Sequence, residues 1–336
     1  AVTARGRFLV LLVMCAALVD SHVEELTLLK DELAEELKKG DFADEMMLRR
    51  FLIARGWDVA AAAAMFRESR EWRVAHVPRA LGETGEFTHA GDGPCVDSHV
   101  LTGRWSWREG AKASTLRGEL ARAHSGSKLL DARASDGSPI AVSRLGTLDV
   151  EGVEREALLE VIMMRQVAFL EDILQTSRAI GFREKRLVRC RAIYDLSGLS
   201  IIKTIRRVGI LKATLGLGKQ YYPEVMASVT IVNAPFGFET LWRVISAFLN
   251  AHIRAKVVIV GSNYRETLRT HAQITDLDDL PTFLGGKADD SDFPPPQPIP
   301  RGTGDLLRAD LSPPFLGPDD MDMTGSRQRD CDAPPS

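Results

Sequence analysis

The amino-acid sequence predicts an α/β fold: a mostly parallel sheet floor with helices forming a pocket over it, preceded by a small all-helical module. Three observations lead there. Strand-like stretches at residues 140–142, 188–194, 228–233 and 256–260 alternate with stretches of helical period at 153–179, 200–216 and 238–249. Such alternation implies crossover connections, which are right-handed and build parallel sheets. Finally, Val257-Val258-Ile259-Val260 is apolar without interruption, the pattern of a strand covered on both faces.

Taken in order, the chain begins with Arg5 and Arg7 ahead of an apolar run at residues 8–19. The run is too short to cross a bilayer as a helix, and residues 1–23 read either as a secretory signal or as a helix packed on the body. Residues 24–77 form the helical module. Leu26, Leu29, Leu33 and Leu37 recur at helical spacing, and Met47, Leu48, Phe51 and Leu52 make a second apolar face. Asp58 reads as the N-cap of an alanine-rich helix whose large contacts are Val59, Phe66 and Trp72.

Residues 78–128 are a variable connector without sustained period. Its Arg104-Trp105-Ser106-Trp107-Arg108 cluster reads either as the anchor of a long loop or as a membrane-interface contact. The α/β domain is drawn over 129–287, with Asp136-Gly137 as the turn into its first strand. Leu159, Ile162, Met163, Gln166, Leu170, Ile173 and Leu174 then share one helix face. Next, Val188, Cys190, Ala192 and Tyr194 alternate with Arg189, Arg191 and Ile193, the two-residue period of a strand. A last helix is expected from about 263. Residues 288–336 carry ten of the sixteen prolines and ten acids against four bases, which reads as a disordered acidic tail. Its residues 293–298 offer a polyproline segment for a protein partner.

Composition excludes several classes. A formal charge of -3 argues against a nucleic-acid binder, although the acidic tail leaves the rest of the chain mildly basic. The four cysteines are isolated and the seven histidines scattered, so neither a disulfide framework nor a metal site is signalled. A Gly-x-Ser-x-Gly elbow, a Walker loop and a full Gly-x-Gly-x-x-Gly are all missing from the sequence. The reading is therefore a binding protein rather than an enzyme, with no catalytic residues, no metal and no cofactor.

The helix at 238–249 is the densest apolar feature. Phe238, Leu241, Trp242, Ile245, Phe248 and Leu249 form one stripe, entered through Pro235-Phe236-Gly237-Phe238. Spacing alone leaves two readings open: an ordinary sheet-packing helix, or a movable lid over an apolar cavity with Gly237 as hinge.

The motifs resemble those of the CRAL-TRIO lipid-binding family, closest to its phosphatidylinositol-transfer branch. The resemblance rests on residues 47–59 (Met-Leu-Arg-Arg-Phe-Leu-Ile-Ala-Arg-Gly-Trp-Asp-Val), Asp136-Gly137-Ser138-Pro139-Ile140, Tyr221-Tyr222-Pro223-Glu224, residues 233–238 and Leu284-Gly285-Gly286. It covers roughly 25–77 and 129–287. It implies one phospholipid held as cargo under a gating helix and exchanged transiently at membrane surfaces. Tyr194, Phe236, Phe238, Leu241, Trp242, Ile245 and Phe248 would line the pocket and gate. In the phosphatidylinositol-transfer branch the headgroup residues correspond to Arg55, Glu224 and Lys256. Lys256 and Arg55 would meet a phosphate, and Glu224 would accept from inositol hydroxyls.

Two departures matter. Gly56 replaces the basic residue that often follows the arginine, and Cys190 and Ala192 replace the hydroxyl residues associated with phosphatidylcholine. Phosphatidylinositol is thus the expected cargo. The implied setting is a monomer in the cytoplasm, peripheral on membranes, with Arg243, Arg254, Arg265 and Arg269 available to anionic headgroups; the secretory pathway is the alternative if residues 1–20 are a signal. The alternative function is a scaffold module holding another hydrophobe, tocopherol- or retinoid-like, with a partner-recruiting tail.

Overall fold

A computed structural model describes residues 22–38, 44–81, 126–290, 293 and 298–304. The apolar run at the start, the tryptophan-arginine cluster at 104–108 and most of the tail lie outside those residues. The helical module comprises α1 (Val23–Glu32), α2 (Ala34–Leu37), α3 (Glu45–Ala54) and α4 (Val59–Leu81). Leu26, Leu29 and Leu33 are buried, as their spacing requires, and so are Met47, Leu48, Phe51 and Leu52. Asp58 caps α4 by accepting from the Ala61 amide at 2.8 Å, and Asp44 caps α3 from the Met47 amide at 2.9 Å. Each such cap contributes about 1 kcal/mol.

The sheet has five strands in sequential order: β1 (Ser127–Arg133), β2 (Pro139–Ser143), β3 (Cys190–Asp195), β4 (Met226–Val232) and β5 (Val257–Ile259). β1 pairs antiparallel with β2, and β2 to β5 are parallel. Parallel neighbours in sequential order, joined by right-handed crossovers, place every crossover on the same face. Those crossovers are α5 (Val150–Arg155) with α6 (Leu159–Glu184), α7 (Ile201–Arg206) with α8 (Val208–Tyr221), and α9 (Phe238–Ser246) with α10 (Ala251–Arg254).

Strand alternation divides the sheet accordingly. Leu129, Ala141 and Cys190 join the core of α3, α4, α6 and α8, whereas Tyr194, Val229, Ile231, Val257 and Ile259 pack with α9. Ile140, Val142, Ile193 and Val232 point the other way. They meet Leu268 of α11 (Arg265–Thr270) and the following segment through Leu277, Leu280 and Leu284.

The small helical module is present as expected, and other details of the sequence reading are extended or revised. The N-terminal helices share one continuous core with α6 and α8: Trp72 stacks on Tyr221 at 4.1 Å, and the Ser69 hydroxyl donates to the Tyr221 carbonyl at 2.9 Å. β1, absent from the sequence reading, begins at Ser127, before the expected boundary at 129. The long helix is broken by Ala157 at φ 54, which separates α5 from α6. The expected helix at 200–216 is two helices and runs on through Gly216 and Gly218 to Tyr221. Part of the segment expected to be disordered packs on the body. Phe293 is buried in the α11-side core, edge-on to Phe283, and Ile299 is buried among Val153, Leu158 and Val161.

Candidate functional site

The residues just ahead of three parallel strands converge at one edge of the sheet. Arg189 precedes β3, Glu224 lies two residues before β4, and Lys256 precedes β5. The ladder fixes their relative height, with the Cys190 amide donating to the Val225 carbonyl and the Val229 amide to the Lys256 carbonyl, both at 2.8 Å. Glu224 itself follows Pro223 and takes φ 52, a left-handed conformation that costs a residue with a Cβ about 1–2 kcal/mol.

The Glu224 side chain is only 4% exposed, and cations surround it. Lys256 Nζ donates to Oε1 at 2.7 Å and Arg189 Nη1 donates to Oε2 at 2.6 Å. His252 Nε2, on α10, lies 2.9 Å from Oε1. Arg50 of α3, fully buried, donates from Nη1 to the Glu224 backbone carbonyl and from Nη2 to that of Val188. Burial would raise the Glu224 carboxyl, but its bond and charge contact with Lys256, aided by Arg189, outweigh burial and hold it below the usual range. Burial also depresses the Arg50 guanidinium to about 10.

Of the three expected headgroup residues, the structure therefore brings Glu224 and Lys256 together. Arg55 lies past the end of α3, and no side-chain hydrogen bond or ion pair joins it to either of them among the described residues. The arginine of that motif that reaches Glu224 is Arg50. Arg189 and His252 were missed as well. Arg189 sat in the strand alternation on the face opposite Val188 and Cys190, which is the one available hint.

The expected gate residues divide three ways. Phe238 and Leu241 are buried with Leu196 and Ile231, and Tyr194, Trp242 and Ile245 are half-buried on the same cluster. Burial pushes the Tyr194 hydroxyl up to about 12. Phe248 is partly exposed beneath the Lys212 ammonium at 4.2 Å. Phe236, expected inside, is fully exposed, because the chain turns at Gly237 (φ 81) before α9 begins. Half-burial extends along this face: Val229, Val257 and Ile259 of the sheet and Ile210, Leu211 and Leu215 of α8 are all incompletely covered. The four arginines expected to meet a membrane are split. Arg243 and Arg254 lie on the crossover that carries α9, whereas Arg265 and Arg269 belong to α11 on the opposite face of the sheet.

A buried polar chain supports the site from behind. Arg73 of α4 pairs with Glu171 of α6 and lies over the Tyr222 ring at 5.1 Å, two residues from Glu224. Gln175 donates to Glu171 at 3.2 Å, Arg178 donates to Gln175 at 2.9 Å, and Arg178 pairs with Asp44 at 2.7 Å. Among the described residues no group of three or more His, Cys, Asp or Glu could hold a metal ion, and no helix is long and apolar enough to cross a membrane.

One-sided crossovers over a five-stranded sheet, with apolar surface left half-covered beside a buried ion cluster, define an α/β ligand-binding domain. Residues 124–286 match the CRAL/TRIO domain, so this part of the chain is a CRAL/TRIO domain. It is 31% identical over 241 residues to Protein real-time of Drosophila pseudoobscura pseudoobscura, covering 70% of this chain and 31% of that protein. The chain thus spans less than a third of that fly relative. With SEC14 cytosolic factor of Candida glabrata it shares 25% identity over 300 residues, covering 86% of this chain and 85% of the yeast protein. With SEC14 cytosolic factor of Yarrowia lipolytica the identity is 30% over 260 residues, 75% of this chain and 46% of the relative. Among solved structures, the crystal structure of Sfh5 superposes with a TM-score of 0.48 at 13% identity over 80% of each chain.

Proposed function

We propose that the protein binds one phospholipid with an inositol headgroup and exchanges it at membrane surfaces, α9 acting as the gate. The observation that carries this reading is the Glu224 carboxylate, buried and ringed by Lys256, Arg189 and His252 at the edge of a half-covered apolar face. Buried charges are unfavourable unless paired. Here the pairing leaves cationic donors for a phosphate and a carboxylate for ring hydroxyls, while the apolar residues of α8, β4, β5 and α9 suit acyl chains.

Membrane docking follows from the surface around the gate. Phe236 and Ile202 stand exposed there, with Lys203, Arg206 and Arg243 on the same pair of helices. A basic rim around exposed apolar groups suits an anionic bilayer surface in the cytoplasm. The protein would work as a monomer without a cofactor, its lipid being cargo. Lipid mass spectrometry of the purified chain tests the proposal, with phosphatidylinositol as the expected species. Lys256→Ala should lower its transfer between vesicles about tenfold, the loss of one charge-assisted contact. A neutral hydrophobe in its place, with transfer indifferent to Lys256, would overturn the reading in favour of a tocopherol- or retinoid-like ligand.

A further inference from the structure

We propose that the Glu224 cluster selects an inositol lipid bearing a phosphomonoester on its ring over one with the phosphodiester alone. The inference deepens the headgroup reading above and rests on it. It starts from charge. Arg50 feels Asp44, Glu224, Arg178 and Arg189, and Lys256 completes the set, so four permanent cations face two carboxylates. Asp44 is engaged by Arg178 at 2.7 Å. That leaves Glu224 alone against Arg50, Arg189 and Lys256, a surplus of two positive charges before His252 is counted. A phosphodiester supplies one negative charge. A phosphomonoester supplies about 1.5–2 near neutral pH, which matches the surplus.

The donors agree with the charges. Glu224 takes one N–H from Arg189 and one from Lys256. Nε and Nη2 of Arg189 and the remaining N–H groups of Lys256 have no partner among the described residues, and buried Arg50 Nε has none there either. A diester offers two anionic oxygens, whereas a monoester offers three strong acceptors and suits the Arg189 fork in a bidentate contact. Access is provided too: the Arg189 side chain is 34% exposed and that of His252 53%, so the cluster opens to solvent on their side. Burial holds the Lys256 ammonium below its ordinary range, against the opposing pull of the Glu224 carboxylate at 2.7 Å.

The test uses the full chain and phosphatidylcholine vesicles containing, at equal fraction, phosphatidylinositol or each phosphatidylinositol monophosphate in turn. Transfer of at least one monophosphate should exceed that of phosphatidylinositol by about tenfold, the effect of one or two added charge-assisted bonds. Arg189→Gln should cut that ratio to about threefold or less, and Arg189→Lys, which keeps the charge but not the fork, should fall between. Thermal unfolding establishes that each variant is folded. Equal transfer of the two lipid classes would overturn this inference while leaving the headgroup reading intact, and transfer of neither would overturn both. Inorganic phosphate or soluble inositol phosphates are added as competitors. If they displace the monophosphate lipid at equal concentration, the site takes a free anion and selection of a lipid is overturned.

Discussion

Replacing Glu224 by Gln isolates what the ion cluster contributes. The substitution keeps the shape and removes the charge from a side chain that is nearly fully buried between Lys256 Nζ at 2.7 Å and Arg189 Nη1 at 2.6 Å. Removing one partner of a fully enclosed pair costs about 3–5 kcal/mol, because the other charge is stranded. Here Arg189 and His252 can relax toward water, so the penalty falls on Lys256 and Arg50, and about 2–3 kcal/mol is expected. In a domain of this size that lowers Tm by about 5–10 °C. Thermal unfolding of the wild type, Glu224→Gln, Lys256→Met and the double variant closes a cycle. Its coupling should be about 1.5–3 kcal/mol, since the double variant strands no lysine. The sign with pH is fixed as well. The Glu224 carboxyl lies below its ordinary 4.5, so its stabilisation is complete above that pH and fades as pH falls through the folded value. The gap between wild type and Glu224→Gln should therefore close on acidification. A coupling below about 0.5 kcal/mol, the additivity limit for independent sites, would refute the argument.

Two further outcomes are expected. Gly286→Ala should largely abolish folding, its Cβ falling 1.9 Å from the Leu280 carbonyl, whereas Gly237→Ala meets nothing nearer than Ile201 at 3.7 Å. The latter should cost only the φ 81 strain, about 1–2 kcal/mol, and soluble yield together with Tm separates the two. Asp172→Asn should stabilise the protein, most of all above pH 8. Asp172 Oδ1 is enclosed without a hydrogen-bond partner among the described residues, and burial pushes the carboxyl up to about 8 against the pull of Arg133. A raised carboxyl makes stability fall as pH climbs from about 4 to 8, so the advantage of Asn in Tm should vanish near pH 4.

The legible parts of the chain were those in which one element decides its own pattern. Leucine spacing and the Asp58 cap depend on neighbours a few residues away, and each found its structure. The apolar run at 257–260 does form β5, but as a half-covered edge strand rather than one covered on both faces, because sheet order is set by residues far along the chain. β1 did not show itself because Lys128-Leu129-Leu130-Asp131-Ala132-Arg133 has no alternation, and only pairing with β2 makes it a strand. The motif could not say which arginine turns inward. Arg49 bonds back to Glu45 on the same helix, Arg50 points to the carbonyls of Val188 and Glu224, and Arg55 falls beyond the last turn. Arg189 and His252 come from two different crossovers, 35 and 28 residues from Glu224, and only sheet register brings them to one carboxylate. Phe293 was hidden by composition, since a proline-rich acidic stretch reads as unfolded even with an occasional aromatic in it.

The crossover between β4 and β5 ties α9 to the Glu224 cluster. It leaves the far edge of the sheet at Asn233, whose amide bonds to the Gly261 carbonyl, and returns as α9 to the edge where Glu224 sits. There α10 supplies His252, and Lys256 follows directly. Arg254 closes the C-terminal end of α9 by donating to the Ser246 carbonyl at 3.2 Å and to that of Leu249. Any outward movement of α9 would thus pull on the segment that bears two of the hydrogen-bond partners of Glu224, His252 and Lys256. The helix itself is held by few deep anchors, Phe238 and Leu241 with Leu249 behind them, while Trp242 and Ile245 are half-buried. At about 2 kcal/mol per buried anchor, opening would cost about 4–6 kcal/mol. Contact of Arg243 and Arg206 with anionic headgroups offers about 1 kcal/mol each, and insertion of Phe236 and Ile202 offers a further 1.5–3 kcal/mol apiece, roughly the same total. The two states would then lie close in energy at a membrane and far apart in water, so that release of the headgroup would be confined to the surface where a new lipid is at hand.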